Sequence, residues 1–434
     1  MKIYLRLILI LITFFVFSCK GNTKHQKTEI TEQPIELKKT TKPTQNLIAK
    51  KVKNQSPKIY DSKYVIARSG LNYRDMPKGN VLGKFPLNTN LRIIEHTKIS
   101  DQIKDDKKII KGEWVGILRY LTNQKFDTVY VFNGFLSHNY VLSDIKLYYA
   151  SSFYKEKDGR TRTAFLNLSE TYFKDAYFKD AYNENGNKNR KSIFTENDLE
   201  KDTIRLNKSQ RNKFLKFSNI SESDKVFVYL ISSDEIQVFN VKDLPAIACM
   251  NPYGSSSRDY INDEFDYMYG FDLDKSITNS GDNLVFVGKE NPFQTGELKP
   301  IIWTKIKNKQ FPIIKDLDKN GIDLSSYFFA TAKYDYFLQK PTKNTSSYHL
   351  VVIDKNSKSE ILNRNYYDSE STYLTVLNIA ESENKGVQQS QWTGELIKNK
   401  ATVIFGFGHS FGCLSITILD ETEPRIPILC DNRH

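Results

Sequence analysis

Covalent chemistry in this 434-residue chain would have to begin with Cys249, Cys413, Cys430 or His409. Cys249 sits in the apolar run LPAIACMNPYG and His409 in the Gly-rich strand end FGFGHSFGC. Together they could form the thiol–imidazole pair of a wall-degrading cysteine peptidase. An apolar setting raises a thiol pKa, however, and favours a buried structural cysteine. Cys413 and Cys430 have a different explanation. The strand-like runs 414–419 and 425–429 flank Asp420-Glu421-Thr422-Glu423. A four-residue loop there pairs position 419 with 424 and brings Cys413 opposite Cys430. Opposed Cα atoms lie about 4.5–5.5 Å apart, within disulfide range. Cys249 is then left unpaired, and Pro427, which lacks an N–H, points to an edge strand. A third constellation, Asp316-Leu317-Asp318-Lys319-Asn320-Gly321, has the start of a calcium loop. The oxygens of Asp316, Asp318 and Asn320, with Gly at the sixth position, suit a hard cation. Tyr327 at the twelfth position rules out an EF-hand, and a plain Asp-Asn-Gly turn is the alternative. No P-loop, post-strand GxGxxG, HExxH or CxxC is present, and the six histidines are too scattered for a zinc site.

The elements that must position these residues read as strands. Six runs over residues 143–434 are apolar and β-branched: KVFVYLI (225–231), NLVFVG (283–288), HLVVID (349–354), YLTVLNI (373–379), ATVIFGF (401–407) and LSITIL (414–419). Residues 170–216 are the exception, where ENDLEKDTIRLNKSQRNKFLKF predicts one or two helices. The tandem YFKDA at 172–176 and 177–181 is a local duplication and not a repeat fold. Upstream, residues 64–142 carry short alternating runs (KYVIA, GEWVGIL, TVYVFNGFLS) broken by Gly, Pro and Asn, as in a small β-barrel or sandwich. The charged stretch SDQIKDDKK, residues 100–108, reads as a long hairpin loop. The expected fold class is mainly β, with a small barrel followed by a larger β-rich (β or α+β) domain.

The net charge of +12 is unevenly placed. Residues 1–60 hold twelve Lys or Arg against three Glu, leaving about +3 for the other 374 residues. A basic tail on nearly neutral domains is not the footprint of a nucleic-acid-binding face. Residues 20–60 are rich in Lys, Thr, Gln, Asn and Pro and cannot bury enough apolar surface to fold, which makes them a tether. A sharper reading has the tether attracted to anionic head groups or acidic wall polymer.

Lys2 and Arg6 precede the eleven-residue apolar run LILILITFFVF, residues 7–17. That length suits a signal-peptide core and falls short of a bilayer span. Val16-Phe17-Ser18-Cys19 resembles the lipobox of bacterial lipoproteins, with Phe17 departing from the usual small residue. The resemblance implies cleavage before Cys19 and several acyl chains on it, enough for stable anchoring. Lys20 in place of Asp leaves no inner-membrane retention signal, so outer-membrane placement is expected.

The segment Tyr64 to Leu142 resembles the bacterial SH3-like (SH3b) domain. The likeness is carried by ARSGLNYRDMP (67–77), VLGK (81–84), PLNTNL (86–91), GEWV (112–115) and VYVFNGFLS (129–137), in the family's order. Leu71 and Tyr73 alternate with Asn72 and Arg74, so one pair faces a core. Pro77 and Gly79 supply a turn, and Trp114 and Val131 would fill a small barrel. An insertion between Ile94 and Glu113 and a longer final turn at Phe132-Asn133 depart from the pattern. Such domains bind cell-wall peptides or act as spacers beside another domain. Tyr73, Trp114, Tyr130 and Phe132 are the candidates for an aromatic ligand groove, and each has packing in the core as its alternative. The tail (WTGELIKNKATVIFGFGHSFGC to CDNRH) resembles uncharacterised C-terminal regions of lipoproteins from flavobacterium-like bacteria.

The expected organisation is a signal peptide over 1–18, a lipidated Cys19 with its tether over 19–60, the SH3-like domain over 61–142 and a β-rich domain over 143–434, with a subdivision near 220–280. The expected role is that of a non-enzymatic envelope lipoprotein, with membrane lipid through Cys19 and peptidoglycan or an envelope protein as partners, and no nucleic acid. Two alternatives stay open. One is a wall hydrolase using Cys249 and His409 or an Asp pair; the other is a calcium-stabilised surface binding protein.

Overall fold

The computed structural model describes residues 58–105, 108–122, 125–154, 162–174, 193–251, 263–273, 282–312, 323–343, 346–370, 372–380, 390–410, 413–431 and 433. The signal segment, Cys19, nearly all of the tether, and Asp316, Asp318 and Asn320 lie outside them. The fold is mainly β, with curled sheets forming half-barrels. Among the described residues no helix is long and apolar enough to cross a membrane.

The first sheet has seven strands: β1 (Asp61–Val65), β2 (Leu71–Arg74), β3 (Val81–Phe85), β4 (Asn90–Asp105), β5 (Lys108–Thr122), β6 (Lys125–Phe132) and β7 (Leu136–Ser137). They run in the order β3-β2-β6-β5-β4-β1-β7. Strand alternation explains the core, since side chains two apart share a face. Val115, Ile117, Val129 and Val131 pack with Val65, Leu71, Leu91 and Ile93, and Tyr73 lies against them. Trp114, one residue out of step, falls on the reverse face, so the expectation that it fills this core is corrected.

Residues 100–105 and 108 differ from expectation too. They belong to the ends of two long strands. Ser100 opposes Glu113, Gln102 opposes Lys111, and pairing continues to Asp105 opposite Lys108. The β-branched Ile99, Ile103, Ile109 and Ile110 favour extended backbone despite the intervening charges. The turn after Pro77 also differs in detail. Gly79 N–H closes it onto the Met76 carbonyl, but the left-handed residue is Lys78 at φ 61°.

Downstream, a five-stranded sheet (strands 203–205, 246–250, 267–272, 162–167 and 150–154, in that spatial order) and a nine-stranded sheet share one core. Val226, Val228 and Val285 of the larger sheet meet Ala246, Ala248, Tyr269 and Phe271 of the smaller. The helix Lys208–Ser218 adds Phe214, Leu215 and Phe217 to this cluster. It and the short helix Glu196–Leu199 fall where the sequence predicts helix. Each opens with a capping box, Asn207 with Gln210 and Thr195 with Asp198, which satisfies N-terminal N–H groups. The other face of the nine-stranded sheet buries Phe227, Tyr229 and Leu284 against Trp392, Leu396 and Ile428. A second five-stranded sheet, built from strands 304–306, 324–330, 334–341, 347–354 and 360–367, packs Tyr336, Leu338 and Leu350 onto Ile404 and Phe407.

Five of the six predicted runs coincide with strands. The sixth, YLTVLNI, is extended only over Thr372–Leu374. Beyond that its backbone ties to single residues: Trp303 N–H donates to the Asn378 carbonyl, and Ala380 N–H to the Trp303 carbonyl.

Cys413 and Cys430 are joined by a disulfide, with Cα atoms 5.3 Å apart. The hairpin register differs by one from the expected one, since Ile416 opposes Ile426 and Ser415 opposes Pro427. Pro427 is not on an edge, because its strand lies between the strand Ser415–Ile418 and the two-residue strand Leu147–Tyr148. The Ile428 N–H donates to the Leu414 carbonyl, and the parallel pairing to Leu147 starts only at Ile428. Pro427 therefore falls where neither ladder needs its N–H.

Candidate functional site

The reverse face of the seven-stranded sheet gathers most of the aromatic candidates. Trp114 and Phe132 are cross-strand partners with ring centroids 6.0 Å apart, exposed by only 4% and 1%. The Arg74 guanidinium lies 5.6 Å from the Trp114 ring centroid, and Phe135 meets the Phe132 ring edge-on at 6.0 Å. The inserted arm of β4 closes over this pair. Trp114 Nε1–H donates to Asp101 Oδ2 at 3.2 Å, and the Thr97 hydroxyl donates to the Trp114 carbonyl at 2.5 Å. Lys78 Nζ completes the arrangement 3.4 Å from Asp101. Tyr130, half-buried on the same face, donates its hydroxyl to Glu95 Oε2 at 3.0 Å. Burial first, and then the Glu95 carboxylate, push its phenol above the ordinary tyrosine value.

Tyr73 is elsewhere. It points into the core face, 4.6 Å from Phe85, with its hydroxyl accepting from Arg119 Nη1 at 3.0 Å. Arg119 also holds Asp127 through two hydrogen bonds, which raise its pKa further above neutrality. The four candidates therefore do not line one groove: three share a face, two of these three are packed, and the fourth faces the opposite way.

An open cleft of about 700 Å³ lies beside the Trp114–Phe132 pair, where the inserted hairpin leaves the sheet. Ser100, Asp101 and Gln102 of β4, paired across the ladder with Glu113, Gly112 and Lys111 of β5, line it together, with Asn133 at the end. This lining is held in place. Glu113 N–H donates to Asn133 Oδ1 at 2.8 Å, and Glu113 Oε1 lies 2.7 Å from His96 Nδ1. Gly112 is required at its position: a Cβ there would come within 2.6 Å of Asn133 Oδ1, 2.8 Å of the Gly134 nitrogen and 3.0 Å of Phe132 Cζ. The Gln102 N–H, then the Trp114 indole and Lys78, hold the Asp101 carboxyl below its ordinary value. The lining offers one ammonium, Lys111, on the same face of the ladder as Glu113 and Gln102, while Asp101 lies on the face of Trp114. The cleft can pair with both ends of a zwitterion or a peptide, and its one hydroxyl, Ser100, stands across the ladder from Glu113.

The other candidates are not brought to this cleft. Cys249 is fully buried on the strand Ala246–Met250, packed with Phe165, Ile247 and Met268. His409 lies on a separate two-stranded sheet, opposite Tyr373. Among the described residues no group of three or more His, Cys, Asp or Glu is placed to hold a metal ion. Sequence reasoning missed the inserted hairpin as part of the cleft lining. The spacing of its isoleucines was the available signal.

No family model, curated protein or solved structure matches the chain.

Proposed function

We propose that this protein is an envelope lipoprotein, held to a membrane by lipid on Cys19, whose SH3-like module binds a short envelope peptide without catalysis. The observation that carries this reading is the cleft along the paired arms of β4 and β5. Lys111 can pair with a ligand carboxylate, Glu113 with an amine, and Gln102 and Asn133 with backbone amides. Cell-wall stem peptides present carboxylates, amides and a free amine within a few ångströms, so they fit this set. A peptide segment of an envelope protein is the other occupant. The packed Trp114–Phe132 pair beside the cleft holds its lining in place, which reduces the ordering cost of binding. The signal features and Cys19 support the anchor, and Lys20 supports outer-membrane placement.

Two experiments test the proposal. Purified peptidoglycan should co-sediment with the chain and release no soluble fragments, and Lys111→Glu should weaken that sedimentation. Soluble muropeptides would instead support a hydrolase. No co-sedimentation, with capture of an envelope peptide in its place, would move the ligand from wall to protein. Mass spectrometry of the host protein should find Cys19 acylated and N-terminal; an unmodified thiol there would remove the anchor.

A further inference from the structure

We infer that Arg364 and Arg425 form an oxyanion-binding site, suited to a phosphate group, at the seam between the second five-stranded sheet and the C-terminal hairpin. Arg364 lies on the strand Glu360–Tyr367, and its Nη1–H donates to the Thr417 hydroxyl at 2.6 Å. Thr417 is on the facing strand Ser415–Ile418. Continuing the hairpin register by one step from Ile416 opposite Ile426 puts Arg425 directly across from Thr417. Directly opposed residues share a face of the ladder. Thr417 therefore holds the Arg364 guanidinium and shares its face of the ladder with Arg425, on a separate element.

Among the described residues neither Arg364 nor Arg425 makes a salt bridge, whereas Arg119, Arg211 and Arg433 each hold a carboxylate. Among the described residues the Arg425 side chain makes no hydrogen bond either. It emerges to solvent, yet the chain packed around it, and then Arg364, lower its pKa, with the Tyr366 phenol opposing. No carboxylate contributes to that balance. Tyr366 is itself fixed, stacked on Phe407 at 5.2 Å, and carries the Arg364 guanidinium 6.0 Å from its ring centroid. Two like charges held together without a counter-charge leave room for an anion that neutralises both. The planar fork of each guanidinium matches the oxygens of phosphate. The Thr417 hydroxyl, beside Arg364, is a further polar contact. The site is separate from the cleft on the SH3-like sheet and does not depend on it.

The same phosphate chemistry could arrive as a soluble phosphorylated molecule or as a phospholipid head group. Isothermal titration of the full-length chain with inorganic phosphate should show saturable binding at one site. Arg425→Gln should raise the dissociation constant at least about tenfold, as expected for one lost charge-assisted hydrogen bond. Lys358→Gln, a surface cation on the same sheet, should leave it unchanged. Arg425→Lys should restore part of the affinity, and its circular dichroism should match that of the parent, which guards against a folding defect in the Gln variant. Vesicles of phosphatidylglycerol and phosphatidylcholine form the second arm. Arg425-dependent flotation with them assigns a lipid head group, whereas phosphate binding without flotation assigns a soluble ligand. Phosphate affinity equal in parent, Arg425→Gln and Lys358→Gln, or non-saturable heat in all three, would overturn the site.

Discussion

Gly112→Ala tests whether the cleft is held as rigidly as its contacts imply. The new methyl would sit 2.6 Å from Asn133 Oδ1 and 2.8 Å from the Gly134 nitrogen, and the Phe132 ring edge, at 3.0 Å, stands behind them. Asn133 cannot retreat while it accepts from Glu113 N–H at 2.8 Å. Phe132, 1% exposed between Trp114 and Phe135, has no free volume to move into. Overpacking of this kind costs about 1–3 kcal/mol, and breaking the Asn133 bond adds about 1 kcal/mol. The expected loss is about 2–4 kcal/mol, or a urea midpoint lower by roughly 1 M at a slope near 3 kcal/mol/M. Gly296→Ala is the control. Its φ is +90°, but a Cβ there meets nothing within 4 Å, so only the left-handed backbone cost of about 1–2 kcal/mol applies. Urea unfolding followed by the fluorescence of Trp114 reads both variants, with Trp303 and Trp392 replaced by Phe in a common background. A Gly112→Ala midpoint within about 0.2 M of the parent would refute the packing argument.

Other outcomes follow from single contacts. Replacing both Cys413 and Cys430 with Ser opens a disulfide spanning 17 residues and should cost about 3 kcal/mol, read from the thermal midpoint with and without reductant. An unchanged midpoint would mean the strands hold the hairpin unaided. Lys358 is exposed at φ 56° in the turn after Asp354, so Lys358→Gly should stabilise by about 1 kcal/mol by removing left-handed strain. Any loss of stability would contradict that. Arg211 donates two hydrogen bonds of 2.7 Å to Glu222 and caps the Leu244 and Val241 carbonyls. The paired guanidinium lowers the Glu222 pKa below its unfolded value. Its stabilising contribution is therefore fully present above the ordinary glutamate range of about 4.3 and is lost as pH falls through that range and the folded value. The Glu222 side chain is 47% exposed, so the effect is small. Parent and Glu222→Gln should differ at neutral pH and converge in acid; a gap that widens in acid would reverse the sign.

Much of the β architecture was legible because alternation and β-branching act locally. Leu71 and Tyr73 face the core as their spacing requires, and Val115 and Val131 do the same. The helix Lys208–Ser218 falls in the run ENDLEKDTIRLNKSQRNKFLKF that reads as helical, and its Asn207–Gln210 capping box is seen only in the structure. What could not be read was decided by contacts distant in sequence. Trp114 and Phe132 lie outside the barrel core because the inserted hairpin covers them, and no local pattern encodes that cover. Charge made the stretch 100–108 look like a loop, yet at residues 100–105 and 108 cross-strand pairing outweighed it. Pro427 sits inside a sheet because its neighbouring strand is only two residues long, a fact set by residues 147–148. The disulfide survived a register error of one, since two residues diagonal across a hairpin are still close enough to bond. Arg425 gave no signal at all, because its partner in charge is more than sixty residues away on another sheet.

Hydrogen exchange of the full-length chain with a purified stem peptide tests the binding account most directly. Added protection is expected at residues 100–102, 111–113 and 133, which line the cleft, and it should disappear in Lys111→Glu. Protection confined to other strands, or an exchange pattern unchanged by saturating peptide, would contradict it.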